Sequence, residues 1–120
     1  MKIRKVLCVD DSVAELGMIT QIVMRANLEV VSATNGKDAI LLAKSEVPDL
    51  IFLDIVMTDM DGFAVMRELQ KDLATKDIPV VFVSSKSQKA DQAWAKMQGA
   101  RGFVPKPVTE EAILEEIRKF

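Results

Sequence analysis

Five polar side chains in this sequence could carry out chemistry if the fold brought them together. Each follows a short apolar run, and they are Asp10, Asp11, Asp54, Ser84 and Lys106. Three neighbouring carboxylates would repel one another, so some would be pushed towards protonation. A hard divalent cation relieves this repulsion, and carboxylate oxygens with waters suit Mg2+, or Mn2+ in its place. These residue types therefore predict a metal-binding acidic cleft with a lysine beside it.

A cleft of this kind suits the transfer of a phosphoryl group. A carboxylate that attacks phosphorus approaches a group that is already negative, so cations must neutralise the phosphoryl oxygens. Lys106 would supply one positive charge and the Ser84 hydroxyl one hydrogen bond. Asp54 is the natural nucleophile, because it is the single carboxylate at the end of a central apolar run.

Each of these residues also has an ordinary structural interpretation. An Asp10-Asp11 pair before a helix can be a helix cap with a favourable charge. An aspartate after a strand is often a turn residue, a serine there is often a cap, and Lys106-Pro107 could simply be a loop. The ordered set at the ends of four apolar runs favours the functional interpretation.

Composition narrows the class of protein. The chain has 120 residues, 49% apolar and 28% charged, with a formal net charge of -2, which predicts one globular domain over residues 1–120 and no binding of nucleic acid through bulk charge. Histidine is absent, which excludes Ser-His-Asp catalysis and a phosphohistidine donor role. Cys8 lies in an apolar run and is expected to be buried. No segment has the length and composition of a signal peptide or a membrane span, so we expect a cytoplasmic protein that does not enter a membrane.

Apolar runs alternate with amphipathic segments along the chain. The runs predicted as strands are Val6–Val9, Glu29–Ala33, Leu50–Leu53, Val80–Val83 and Gly102–Val104. Their continuous apolar character is typical of parallel strands covered on both faces. Helices are predicted between and after them: from a Ser12–Glu15 capping box, from Gly36 to before Pro48, at 62–72, at 88–98, and after Thr109. Five strand–helix units predict an α/β, doubly wound parallel sandwich, whose ligands bind at the carboxyl ends of the strands.

The motifs resemble the receiver domains of two-component response regulators along essentially the whole chain. The residues that carry the resemblance are Val9-Asp10-Asp11-Ser12, Leu53-Asp54-Ile55-Val56-Met57, Met60-Asp61-Gly62, Val83-Ser84-Ser85, Gly99-Ala100 and Lys106-Pro107. The segment from Ser87 through Trp94 to Arg101 is particularly similar to receivers of the type IV pilus twitching-motility pathway, and the size matches stand-alone chemotaxis-type receivers.

This resemblance implies a flavodoxin-like (βα)5 fold with strand order 2-1-3-4-5 and a role for each motif residue. Asp54 would be the phosphoacceptor. Asp11, Asp54 and the Val56 carbonyl would bind Mg2+, and Asp10 would hold a metal-bound water. Ser84 and Lys106 would contact the phosphoryl group, Phe103 would be the switch aromatic, and the Lys106-Pro107 bond would be cis.

The resemblance also implies the partners. A histidine kinase or phosphotransfer domain would donate the phosphoryl group, and the chain would catalyse only its own phosphorylation and dephosphorylation. A downstream protein would bind the face formed by the fourth helix, fifth strand and fifth helix, expected to include Lys89, Ala93, Phe103 and Ile113. The domain would work alone or as part of a longer protein.

The chain departs from the family pattern at Thr58, and at Ser84, which keeps the hydroxyl of the usual threonine but loses a methyl. Thr58 replaces a common proline, which predicts a more mobile loop. Val56 and Lys86 lie where the family tunes hydrolysis of the acyl phosphate, and valine cannot orient an attacking water through a side-chain hydrogen bond. The sequence therefore predicts a fairly long-lived phosphoryl group.

Three other functions fit parts of the pattern. A haloacid-dehalogenase-like phosphatase also uses an aspartate nucleophile, but it needs a second aspartate where this chain has Val56. A mononucleotide or flavin binder shares the fold class, but no glycine-rich loop follows the first strand. A non-phosphorylated scaffold would have retained the fold without the chemistry.

Overall fold

The computed structural model describes residues 2–120, so Met1 of the predicted domain lies outside the described residues. Strands and helices alternate without exception along this part of the chain. The elements are β1 Lys5–Val9, α1 Val13–Arg25, β2 Glu29–Ala33, α2 Gly36–Glu46, β3 Leu50–Leu53, α3 Gly62–Gln70, β4 Val80–Ser84, α4 Lys89–Met97, β5 Gly102–Pro105 and α5 Glu110–Arg118. All neighbouring strands pair in parallel in the order β2-β1-β3-β4-β5, which confirms the predicted flavodoxin-like topology.

Alternation within each apolar strand builds two cores, one on each face of the sheet. Leu7 and Val9 face α2, α3 and α4, whereas Val6 and Cys8 face α1 and α5. The same alternation continues in β3, where Phe52 is fully buried and contributes about 1.5–3 kcal/mol. Helices on both faces therefore explain why these strands are apolar throughout.

The structure confirms that Cys8 is a packing residue. Its side chain is fully buried in the core beneath α1 and α5. Burial raises the pKa of its thiol to about 12, which keeps the thiolate out of reach at neutral pH.

The third helix ends earlier than the sequence predicted, and the second ends as predicted. The third was expected to reach Asp72, but α3 ends at Gln70, because the buried Thr75 hydroxyl donates a 2.7 Å hydrogen bond to the Leu69 carbonyl and turns the chain. The second ends before Pro48 as predicted, and Val47 takes a left-handed conformation with φ of 43°. Such a conformation is strained for a β-branched residue.

The predicted capping box at α1 is only half formed. Ser12 caps the helix as expected, since its hydroxyl oxygen accepts the Glu15 N–H at 3.3 Å. The reciprocal bond is missing because Asp10 Oδ1 accepts the Ser12 N–H at 2.9 Å. The Glu15 carboxylate is therefore free to bind elsewhere.

Candidate functional site

The acidic cleft forms where β1 and β3 end side by side. Val9 pairs with Leu53 in the register of the two strands, so the residues that follow each strand emerge together. The carboxylates of Asp10, Asp11 and Asp54 offer oxygens that all lie within 4.8 Å of one another. Three aspartates from two distant segments thus meet as the sequence predicted.

Lys106 enters the same cleft from the end of β5. Its Nζ lies 2.8 Å from Asp10 Oδ2 and 3.2 Å from Asp54 Oδ2, and only 10% of its side chain is exposed. The backbone fixes this position, because the Lys106 N–H donates to the Ser84 carbonyl at 3.0 Å. The Lys106-Pro107 bond is cis, as predicted.

Burial controls the ionisation of Asp54, whose side chain is 6% exposed. Loss of solvation raises the pKa of Asp54 to about 6, and the nearby charge of Asp10 adds to this rise. Lys106 and the Val56 N–H oppose it. Asp54 is therefore held in an environment that disfavours its negative charge unless more positive charge is nearby.

Lys106 stays positively charged in this environment. Burial lowers its pKa, but contacts with Asp10 and Glu15 and the charge of Asp54 outweigh that effect and raise the pKa above its ordinary value. One ammonium group thus serves several carboxylates, which leaves the cleft acidic.

The donor set fits a hard divalent cation. Asp10 Oδ2 is buried and makes no directed hydrogen bond, although the Lys106 ammonium is close enough for a charge contact. Asp11 is exposed at the mouth of the cleft. Mg2+ prefers oxygen ligands in proteins, and the negative charge of these oxygens is not fully neutralised here.

Of the other predicted site residues, Ser84 and Val56 lie at the same edge of the sheet, and Phe103 lies further back along β5. Ser84 ends β4 and is fully buried, and its hydroxyl oxygen accepts the Lys86 N–H at 3.1 Å. The Val56 side chain is 55% exposed, while its N–H donates to Asp54 Oδ1 at 3.3 Å. Phe103 is half-buried on β5 opposite Phe82.

The prediction that Ile113 lies on the partner-binding face is wrong. Ile113 is completely buried in the core that α5 forms with α1 and the sheet, because it lies on the inward side of α5. Lys89 and Ala93 are exposed on α4, and Phe103 is partly accessible beside them.

The sequence did not predict two contacts, one made by Glu15 and one by Asp59. Glu15 lies 2.5 Å from Lys106 Nζ, and Asp59 accepts the N–H groups of Gly36 and Lys37, both at 3.0 Å. The second contact ties the loop after Asp54 to the start of α2. In the sequence, Glu15 was interpreted as part of a capping box. No local pattern indicated the partners of Asp59, because they lie more than twenty residues away.

Comparison with known proteins decides the family. The family model of the response regulator receiver domain matches residues 6–118, which is nearly the whole chain. The chain belongs to the response regulator receiver family. Receivers act as signalling domains of two-component response regulators.

This receiver is similar to both short and long proteins. It is 42% identical to Protein PilH of Pseudomonas aeruginosa, over 94% of this chain and 93% of that protein. It is 32% identical to response regulator PleD of Caulobacter vibrioides over 95% of this chain, but it matches only 25% of PleD. The solved chemotaxis response regulator CheY4 of Vibrio cholerae superposes with a TM-score of 0.90 at 27% identity, covering 98% of each chain.

Proposed function

We propose that this receiver, taken as one domain over residues 1–120, accepts a phosphoryl group on Asp54 from a histidine kinase or a phosphotransfer domain. The observation that carries the proposal is the convergence of three aspartates and Lys106 around one buried carboxylate. A scaffold that only kept the fold has no need for this costly arrangement of charge. The phosphatase alternative gains no support, because an exposed valine follows at the position that needs a second aspartate.

The reaction is a displacement at phosphorus. An oxygen of Asp54 forms a bond to the phosphorus of a phosphohistidine, the phosphorus–nitrogen bond breaks, and the imidazole nitrogen keeps the electron pair. Lys106 stays charged and binds a phosphoryl oxygen. The Ser84 hydroxyl donates its hydrogen to another, while its oxygen can continue to accept the Lys86 N–H. Asp10, Asp11, Asp54 and the Val56 carbonyl would hold Mg2+ or Mn2+, which supplies positive charge against the phosphoryl oxygens when bound.

The phosphorylated state would act by changing which conformation is populated. Movement of Ser84 would shift the loop between β4 and α4 and allow Phe103 to turn inward. The face of α4, β5 and α5, with Lys89 and Ala93 exposed on it, would then bind a downstream protein with a different affinity. The size of this effect is bounded by how differently the phosphoryl group contacts the two states.

The comparisons support a proposal for the pathway. Identity of 42% to Protein PilH over nearly all of both chains, with the similarity of segment 87–101 to twitching-motility receivers, favours control of twitching motility or a chemotaxis-like pathway. Such a receiver would work in the cytoplasm, without catalysis beyond its own phosphorylation and dephosphorylation. Within residues 2–120 no helix is long and apolar enough to cross a membrane.

The decisive experiment is covalent labelling. The protein is incubated with Mg2+ and acetyl phosphate, and the site of the added phosphoryl group is located by mass spectrometry. We expect label on Asp54, no label on Asp54→Asn, and no label on the wild type with a chelator present. Label on a serine would contradict the proposal, and turnover of many phosphate esters would favour the phosphatase.

A further inference from the structure

Lys106 has its shortest contact with a residue outside the aspartate set. Its Nζ lies 2.5 Å from Glu15 Oε2, compared with 2.8 Å to Asp10 and 3.2 Å to Asp54. An ammonium group has three N–H donors, and here three carboxylates surround it. Two of these donors are directed at Glu15 and Asp54, and Asp10 lies close by. A phosphoryl oxygen that approaches Lys106 must therefore compete with these carboxylates.

Local structure explains why Glu15 reaches across the cleft. It lies in the first turn of α1, where its carboxylate would ordinarily bind back to the Ser12 N–H. Asp10 already occupies that N–H at 2.9 Å. The Glu15 carboxylate is left without a local donor and extends to Lys106, beside Met18 and Pro107.

Exposure decides which carboxylate can leave. Asp10 and Asp54 are almost completely buried, with 0% and 6% of their side chains exposed, whereas Glu15 is 45% exposed. Water can solvate a released Glu15 carboxylate, whereas Asp10 released from Lys106 would keep a buried unpaired charge. Asp54 must stay in the cleft as the proposed acceptor. Displacement of Glu15 is thus the least costly way to free a donor.

On the basis of the proposed function, we propose that Glu15 is a positioning residue. Its carboxylate occupies the place on Lys106 that a phosphoryl oxygen takes in the phosphorylated receiver. Phosphorylation must displace Glu15, so its carboxylate opposes the reaction. The same negative charge lies close to the aspartates and favours cation binding. Glu15 therefore acts in opposite directions on metal affinity and on phosphorylation.

The test separates these two effects with the full chain. Binding of Mg2+ is measured by calorimetry, and the initial rate of phosphorylation by acetyl phosphate is measured at saturating Mg2+ by intact mass. Glu15→Gln should weaken Mg2+ binding about two- to fivefold and speed phosphorylation about three- to tenfold. A merely structural role would lower both quantities together.

Two further variants sharpen the comparison. Glu15→Asp keeps the charge but is too short to hold the same contact, so it should bind Mg2+ like the wild type and be phosphorylated faster. Glu110→Gln is the matched control, because Glu110 also begins a helix and pairs with Arg25 at the surface, with more than half of each side chain exposed. It should behave like the wild type in both measurements.

Failure of the inference and failure of the proposed function give different results. If the wild type is labelled on Asp54 but Glu15→Gln is phosphorylated at the wild-type rate or more slowly, the role of Glu15 is refuted and the proposed function stands. If the wild type takes no label, both are overturned.

Discussion

At the level of single side chains, the cleft places carboxylates where water scarcely reaches. Asp10 is completely buried and Asp54 nearly so, and they share the charge of Lys106 with Glu15. Burial of these charged side chains lowers the stability of the fold. The cleft is suited to binding a cation, because a positive charge would relieve a repulsion that is already present.

Replacement of Asp54 by asparagine should stabilise the metal-free protein at neutral pH. The pKa of Asp54 rises from 3.8 to about 6 on folding, mainly through burial. Between these values the folded state binds the extra proton, so wild-type stability falls as the pH rises through this window. Urea unfolding with a chelator should show Asp54→Asn near equal to the wild type at pH 4 and about 1–3 kcal/mol more stable at pH 7.

Asp77→Asn is the control for this measurement, since Asp77 is exposed. It should follow the wild type at every pH. Parallel stability curves for Asp54→Asn and the wild type would show that Asp54 ionises normally.

The phosphoryl group on Asp54 should be long-lived. The side chain of Val56 is exposed at the edge of the cleft, and it offers no hydrogen bond that could orient an attacking water. After removal of the donor, the phosphorylated mass should decay faster in Val56→Asn or Val56→Glu than in the wild type. Complete loss of wild-type label within seconds would count against this prediction.

At the level of elements, the loop between β3 and α3 holds Asp54 in place from below. The Gly62 N–H donates to the Ile55 carbonyl at 2.7 Å, and the Asp59 carboxylate caps the start of α2. Asp59, the residue after Thr58, therefore anchors the loop that Thr58 was predicted to make more mobile.

Asp59→Ala should release this anchor. Hydrogen bonds from Gly36 and Lys37 lower the pKa of Asp59, so its stabilisation is present above the ordinary aspartate pKa and is lost as the pH falls below it. We expect a loss of about 1 kcal/mol at pH 7 that shrinks as the pH falls below the ordinary aspartate pKa, measured by urea unfolding. Thr58→Ala, which changes the exposed neighbouring residue, should have little effect. An equal loss of stability in both variants would show that the Asp59 hydrogen bonds are not the cause.

Two glycines should respond differently to alanine. A Cβ at Gly62 would overlap the carbonyl oxygen of Asp54, with the Ile55 Cα 3.0 Å away, and this backbone cannot yield easily. A Cβ at Gly102 would overlap the end of the Glu116 side chain, which can rotate away. Thermal unfolding should show a large loss for Gly62→Ala and a smaller one for Gly102→Ala, and only Gly62→Ala should slow phosphorylation. Equal losses would contradict the distinction between backbone and side-chain neighbours.

At the level of the whole molecule, the parallel sheet brings distant segments to one edge. β1, β3 and β5 deliver their following residues to the same cleft, while helices cover both faces. The site therefore exists only in the folded state, and any ligand that binds it must stabilise the fold.

Mg2+ should raise the stability of the intact protein. At a concentration one hundred times the dissociation constant, the gain is about 2.7 kcal/mol, which thermal unfolding can detect. Asp11→Asn should lose this gain while retaining the fold, because Asp11 is exposed. An undiminished gain in Asp11→Asn would place the cation elsewhere.

Much of the architecture could be read from local pattern. The second and third strands were predicted without error and the other three to within one residue of each end, because continuous apolar runs have few alternatives. Helix ends were less predictable: α3 stops where Thr75 turns the chain. The inward side of α5 was also misjudged, since Ile113 can face outward or inward until the helix is docked.

The sequence by itself determined the fold class and the aspartates, serine and lysine that reach the site, since strand periodicity and parallel topology send all strand ends to one edge. Only the tertiary structure decided how these side chains share their contacts. Glu15 leaves its capping position because Asp10 takes the Ser12 N–H, and Asp59 binds α2 across a gap in sequence. Competition among several donors and acceptors depends on distances of a few tenths of an ångström, which spacing along a chain does not specify.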